Sequence, residues 1–325
     1  MSDFSAYRNL QVLVTGGAGF IGSHLVRGLL QVGAQVRVLD NFCNGTRENL
    51  AEVAGQIEVM EGDITRLEDC QRAVQDRKVV FHLAALGSVP RSIEHPLLYH
   101  QVDAGGTLNM LEAARQAKAK RFVYSASSSA YGDTLVLPKV ETMAPAPKSP
   151  YAVAKLTGEY YVRTYASVYG LEGVCLRYFN VFGPRQNPKS QYAAVIPAWI
   201  TMLLNEQSPK VYGDGEQSRD FCFVDNVVLA NMLSGCVTGP LHGPTVNIAC
   251  GQSITLNLML KKMQLLTHKH VAATYMPPRT GDVKDSLGDI RAAETVLGYK
   301  PKVYFDEGLE RTIAWYTAEY QSSRA

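Results

Sequence analysis

The chain has 325 residues, 46% hydrophobic and 19% charged, enough to bury a sizeable core in one large domain or two. Lys and Arg number 32 against 30 Asp and Glu, a net charge of +2 with no basic run or basic, aromatic-interleaved stripe, so nucleic acid is not an expected partner. The six cysteines are scattered without CxxC or zinc spacing, and no charged leader or apolar run of about 18 residues occurs, so a reduced cytoplasmic protein with no metal and no membrane span is expected.

Short β-branched runs alternate with longer periodic segments through the first 180 residues. The pattern predicts strands over 11–15, 35–39, 57–60, 79–83, 121–125 and 174–177, and helices over 20–32, 67–75, 96–117 and 150–169. These strands are short and apolar on both faces, as expected when helices cover both sides of a parallel sheet. The expected fold class is α/β, a Rossmann-type doubly wound parallel sheet in a dinucleotide-binding domain spanning 1–180. Beyond it the rhythm changes. A loop with Gly183, Pro184, Asn187 and Pro188 precedes helices expected at 195–204, 225–234, 256–265 and 305–320 and strands at 210–212 and 245–248. This smaller, mixed α/β half, 181–325, suits a substrate-binding cap over the carboxyl edge of the sheet.

The first strand runs straight into Thr15-Gly16-Gly17-Ala18-Gly19-Phe20-Ile21-Gly22, where a helix begins. Glycines at 16, 19 and 22 allow a tight turn, close approach of a pyrophosphate and close packing of helix on strand, while the helix start offers free N–H groups to phosphates. Asp40 follows 18 residues after Gly22, at the end of the second strand, where a carboxylate accepts ribose hydroxyls and repels a 2′-phosphate. NAD is therefore expected over NADP, with Arg47 the one nearby residue that blurs the choice. Asn41, Asp63 and Ile64 complete the expected adenosine side, although Asp63 reads equally well as a turn residue.

Tyr151 and Lys155 lie four residues apart on the predicted helix 150–169 and so share one face. A nearby cation favours a phenolate, which makes Tyr151 a candidate acid or base, and a serine hydroxyl from Ser127, Ser128 or Ser129 can hold the group being deprotonated. Alone, the pair is also compatible with a half-buried tyrosine beside a solvated lysine, and the serines with ordinary turn chemistry.

With the glycine turn, the motifs TGGAGFIG at 15–22, HLAA at 82–85, SSSAYGD at 127–133, SPYAVAK at 149–155, LRYFNVFGPRQ at 176–186 and RTGD at 279–282 resemble the extended short-chain dehydrogenase/reductase superfamily, and within it the UDP-sugar 4-epimerases. The likeness runs from about Val12 to Tyr299. It implies a tightly held NAD that is not consumed, with Leu83, Ala84, Ala85 and Tyr178 among its contacts. By the resemblance Ser127 or Ser129 holds the sugar 4-hydroxyl, with Ser127 favoured by its position before Tyr131-Gly132-Asp133, Tyr151 takes its proton, and Lys155 binds the nicotinamide ribose and, helped by the positive nicotinamide ring, lowers the Tyr151 pKa. A 4-keto sugar would form, turn over and be reduced on its other face. Asn180, Ala194, Val195, Tyr212, Arg219, Arg279 and Asp282 would bind the UDP moiety. Ser127-Ser128-Ser129-Ala130 holds no carboxylate, which favours epimerisation over dehydration or decarboxylation.

Ser286 stands where the family carries its pocket-wall residue; a serine there, with Gly87 and Ser88 also small, leaves room for a 2-N-acetyl group. Together with Tyr192, Ala193 and Ala194 the pattern resembles the epimerases preferring UDP-GlcNAc and UDP-GalNAc, with plain UDP-glucose and UDP-galactose as poorer substrates. One departure is Asp103-Ala104 where the family usually has Asn-Val. By the same resemblance the helices near 96–117 and 150–169 would pair in a homodimeric four-helix bundle.

Overall fold

The computed structural model describes residues 3–188, 194–278 and 284–322. Its frame is a seven-stranded sheet of β1 (Gln11–Thr15), β2 (Gln35–Asp40), β3 (Glu58–Glu61), β4 (Val79–His82), β5 (Arg121–Ser127), β6 (Glu172–Tyr178) and β7 (His242–Ile248). The order is β3-β2-β1-β4-β5-β6-β7, every pair parallel. Parallel neighbours need crossovers, and these carry the helices α1 (Phe20–Gln31), α2 (Leu67–Val74), α3 (Gly106–Gln116), α4 (Pro150–Tyr169) and, before β7, α5 (Val195–Leu204) and α6 (Val224–Cys236), with the 3-10 helix Glu48–Gln56 between β2 and β3.

Alternation along β1 shows why both faces are apolar. Val12 and Val14 join the core with Leu25, Leu29 and Val227, while Leu13 joins the opposite core with Met110, Leu111, Phe122 and Val162. A third core, around Trp199, Phe221, Met259 and Leu309, holds α5, α7 (Leu256–Thr267) and α8 (Phe305–Ser322) together. The chain leaves β1 toward β2 on one side and later returns to β4 on the other. The carboxyl ends of β1 and β4 therefore flank the crevice where ligands bind in open α/β sheets.

The helix predicted over 150–169 forms with those bounds. Ser149 Oγ caps it by accepting the Ala152 N–H at 3.2 Å, Pro150 opens it, and Gly170 closes it at φ +69°. Two expectations change. The single helix expected over 96–117 is a short turn Pro96–Tyr99, a widened π turn His100–Gly105, and α3. The strand expected over 245–248 begins at His242 and pairs with β6, so the sequence after residue 180 contributes a seventh strand to the main sheet. No helix among the described residues is long and apolar enough to cross a membrane.

Candidate active site

Three adjoining cavities run along the carboxyl edge of the sheet. The first, about 590 Å³, is lined by Gly16, Gly19, Phe20, Ile21 and Gly22, by Asp40, Asn41, Asp63 and Ile64, and by Leu83, Ala84 and Ala85. This turn has no room for side chains. A Cβ on Gly16, whose φ is +68°, would lie 2.8 Å from the Ala84 nitrogen, and one on Gly22 only 2.1 Å from the Gly16 carbonyl oxygen. Gly19 caps α1 with no side chain to occupy its first-turn N–H groups. Asp40 is fixed by two backbone donors: Ala18 N–H reaches Oδ2 at 2.9 Å and Phe42 N–H reaches Oδ1 at 2.8 Å. Burial pushes its pKa up against those bonds, and each oxygen keeps a lone pair for a further donor. Asn41 donates to Asp63 Oδ2 at 2.8 Å, tying two expected adenosine contacts together. Arg47 pairs with Glu61 at 2.5 Å and lies over the Phe42 ring. A cradle closed to any Cβ, open N–H groups and an anchored carboxylate together fit a dinucleotide.

The second cavity, about 670 Å³, is lined by Ser127, Ser128, Ser129, Tyr151, Lys155, Tyr178 and Ser286, and shares Phe20, Ile21, Leu83 and Gly87 with the first. β5 ends at Ser127, which places the serines over the sheet edge, and the first turn of α4 brings Tyr151 beside them. Ser129 donates to Ser127 Oγ from both its N–H, at 3.2 Å, and its hydroxyl, at 2.9 Å. Ser127 thus accepts twice and is also hydrogen-bonded with Tyr151, which singles it out among the three. Lys155 follows one turn after Tyr151, its ammonium 4.7 Å from the Tyr124 ring centre, while the Tyr124 hydroxyl donates to the Lys155 carbonyl at 3.1 Å. Gly158 is what lets α4 approach: a Cβ there would meet the Tyr124 hydroxyl at 2.2 Å.

The expected depression of the Tyr151 pKa by Lys155 does not hold in the protein alone. Burial pushes the phenol up to about 12, opposed by the hydrogen bond with Ser127 and reinforced by the negative charge of Asp103. Lys155 is itself pushed down by burial and held up chiefly by Asp103, then Glu159. Tyr151 is therefore a neutral proton donor until another positive charge arrives.

The third cavity, about 530 Å³, is lined by Asn180, Ala194, Val195, Tyr212 and Arg219, and shares Asn180 and Arg219 with the second. Arg219 donates to the carbonyls of Ser218 and Lys284 at 2.9 Å each. Asp220 accepts the backbone N–H groups of Cys250, Gly251 and Gly288 at 2.9–3.1 Å, pinning the loops beneath the cleft.

Ser88 lines the first cavity, and its hydroxyl accepts the Arg91 N–H at 3.3 Å. Tyr178 lines the second cavity rather than the first, its hydroxyl bonded with Asn231 at 2.8 Å. Arg279 and Asp282, like Tyr192 and Ala193, lie outside the described residues. Gln186 went unassigned in the sequence reading although it ends the LRYFNVFGPRQ motif. It lines all three cavities, and its buried Oε1 has no partner among the described residues. Lys139, 2% exposed, also lines the second cavity; the only sequence signal was a lysine within an apolar run.

The NAD dependent epimerase/dehydratase family model matches residues 12–249. A putative UDP-glucose 4-epimerase of Methanocaldococcus jannaschii is 37% identical over 94% of this chain and 97% of its own length. Among solved structures, the UDP-N-acetylglucosamine 4-epimerase of Methanobrevibacter ruminantium M1, in complex with UDP-N-acetylmuramic acid, superposes with a TM-score of 0.91 at 38% identity, covering 96% of this chain and 99% of that one. The UDP-glucose 4-epimerase of Thermotoga maritima with UDP-glucose gives 0.91 at 37% identity, covering 96% and 100%. The chain belongs to the NAD dependent epimerase/dehydratase family.

Proposed function

We propose that this member of the family is a 4-epimerase of UDP-N-acetylglucosamine and UDP-N-acetylgalactosamine. The observation that carries the epimerase reading is the second cavity, where Ser127, Tyr151 and Lys155 meet beside the dinucleotide cradle. Bound in that cradle, NAD would supply the hydride acceptor and donor, and a positive ring that favours the Tyr151 phenolate. The protein's own part is proton handling and positioning. Ser127, hydrogen-bonded with Tyr151, orients the sugar 4-oxygen; Tyr151 removes the hydroxyl proton from that oxygen and later returns it; Lys155 supplies the neighbouring positive charge. Arg219, Asn180 and the start of α5 would hold the diphosphate while the ketone turns over. Among the described residues Asp285 is the one carboxylate lining the second cavity, and the Ser218 hydroxyl occupies its Oδ1 at 2.6 Å.

The N-acetyl preference rests on the space around Ser286 and Gly87, where a Cβ added to Gly87 would meet nothing within 4 Å. Purified protein given UDP-GlcNAc or UDP-GalNAc, with no added cofactor, should convert each to the other. Interconversion of UDP-glucose and UDP-galactose alone would replace this substrate reading with that of the Methanocaldococcus relative. Ser286→Tyr should fill the wall, lowering kcat/KM for the N-acetylated pair by about 10–200-fold while sparing the plain sugars. An equal loss on both pairs would remove Ser286 as the discriminator.

A homodimer is the assembly this surface supports. Leu97 is 84% exposed, and Val153, Tyr160 and Val168 on α4 are at least half exposed, an apolar face on two neighbouring segments. Light scattering should give twice the chain mass, and Val153→Glu with Tyr160→Glu should give the monomer. A monomeric wild type ends this reading.

A further inference from the structure

Asp103 stands in the π turn His100–Gly105 that interrupts the helix predicted there, and it is 1% exposed. Its Oδ1 accepts the Leu86 N–H at 2.8 Å, fixing the loop between the first two cavities. Its Oδ2 is buried and has no hydrogen-bond partner among the described residues. A carboxylate oxygen taken out of water without a partner is costly and calls for a compensating charge.

The ionisable groups around it come from three elements: Lys155 and Tyr151 on α4, Tyr124 on β5, and Tyr99 on the turn Pro96–Tyr99. Lys155 is the only cation of this set. His82, from β4, also senses Lys155; its ring nitrogens bond to Thr15 and Thr107, and burial drives its pKa down to about 3, so it stays neutral. The other carboxylate near Lys155 is Glu159, whose two oxygens are taken by Arg177 at 2.8 and 2.7 Å. Glu159 is thus already balanced, while Asp103 has one oxygen unclaimed and Lys155 has no hydrogen-bonded acid of its own among the described residues.

We propose that Asp103 is the buried counter-ion of Lys155, a positioning residue whose charge keeps the ammonium protonated in an enclosed site. Burial pulls the Lys155 pKa down, and the carboxylate opposes it. Asp103 divides its work between its oxygens. One holds Leu86 in place through a bond that an asparagine could also accept. The other contributes the charge, which an asparagine could not.

Asp103→Asn separates these two roles. In the NAD-free protein carrying 13Cε-labelled lysine, the Lys155 titration followed by NMR should move down by roughly one pH unit in the variant. An unchanged titration in a folded variant overturns the proposal. The reciprocal variant Lys155→Met covers the case in which Asp103→Asn fails to fold. Burial places the Asp103 pKa at about 6, above its ordinary 3.8, so its ionisation costs stability. The stability it contributes when protonated is full below pH 3.8 and lost as pH rises through 6. Removing the ammonium should move that loss to higher pH, read from unfolding midpoints, and no movement counts against the pairing. The catalytic role given to Lys155 rests on the epimerase reading, and there the alkaline limb of kcat should fall in Asp103→Asn by the same shift. Absence of epimerisation in every form, wild type included, would sink that reading, while the Lys155 titration would still decide the counter-ion.

Discussion

Tyr151→Phe should abolish most of the epimerisation while leaving a folded protein that still binds NAD. General acid–base catalysis by one positioned group is worth about 10²–10⁴-fold, and among the described residues no other acid or base is placed as Tyr151 is, beside Ser127. The ring itself is structural. It packs edge-on against Tyr99, with centroids 6.4 Å apart, and phenylalanine preserves that contact. The hydroxyl's one lost hydrogen bond, with Ser127, should cost about 1 kcal/mol, too little to unfold the chain. The measurement is UDP-sugar turnover by chromatography, alongside the NAD content of the purified variant. If Tyr151→Phe keeps more than a tenth of wild-type kcat with NAD bound, the proton is moved by another group.

The pH behaviour of this tyrosine separates sequence from structure. Four-residue spacing placed Tyr151 and Lys155 on one helical face, and α4 does so. Spacing says nothing about what else reaches the pair. Burial raises the phenol rather than lowering it, and Asp103, from a distant π turn, and Tyr99, from the turn before it, add to the rise. The strongest periodic signals were read well because local physics sets them. The capped helix 150–169 and the glycine turn after β1 are cases in which cap chemistry or a forbidden Cβ leaves one solution. The π turn escaped because 96–117 keeps a helical rhythm, and only tertiary packing decides where an extra residue is accommodated. The pairing of β7 is non-local and so is not legible in its own residues. Nothing in Thr245–Ile248 itself says that it will pair with β6. Gln186 escaped for a similar reason: a junction between three cavities exists only once the loops are folded.

Gly22→Ala should empty the cofactor cradle, the second large effect. Alanine is ordinarily favoured over glycine within a helix by up to about 1 kcal/mol, so propensity alone predicts a gain in stability. The collision decides otherwise. The new Cβ would sit 2.1 Å from the Gly16 carbonyl oxygen and 2.8 Å from Gly17 Cα, backbone atoms that cannot rotate away as a side chain could. Gly16 is itself wedged against Ala84 at the end of β4, and its N–H donates to the Leu39 carbonyl of β2 at 2.8 Å. The turn therefore cannot retreat without disturbing two strands. Overpacking of this kind costs about 1–3 kcal/mol, more than the propensity gain, and relief can come only by displacing the N–H groups expected to meet the pyrophosphate. The purified variant should carry less than a tenth of the wild type's NAD, measured by releasing it with acid and assaying it enzymatically. Its midpoint in urea should also fall. Full NAD content would mean that the glycine turn is not where the dinucleotide is held. Full NAD with a lowered midpoint would locate the strain in the sheet and leave the cradle without its assigned ligand.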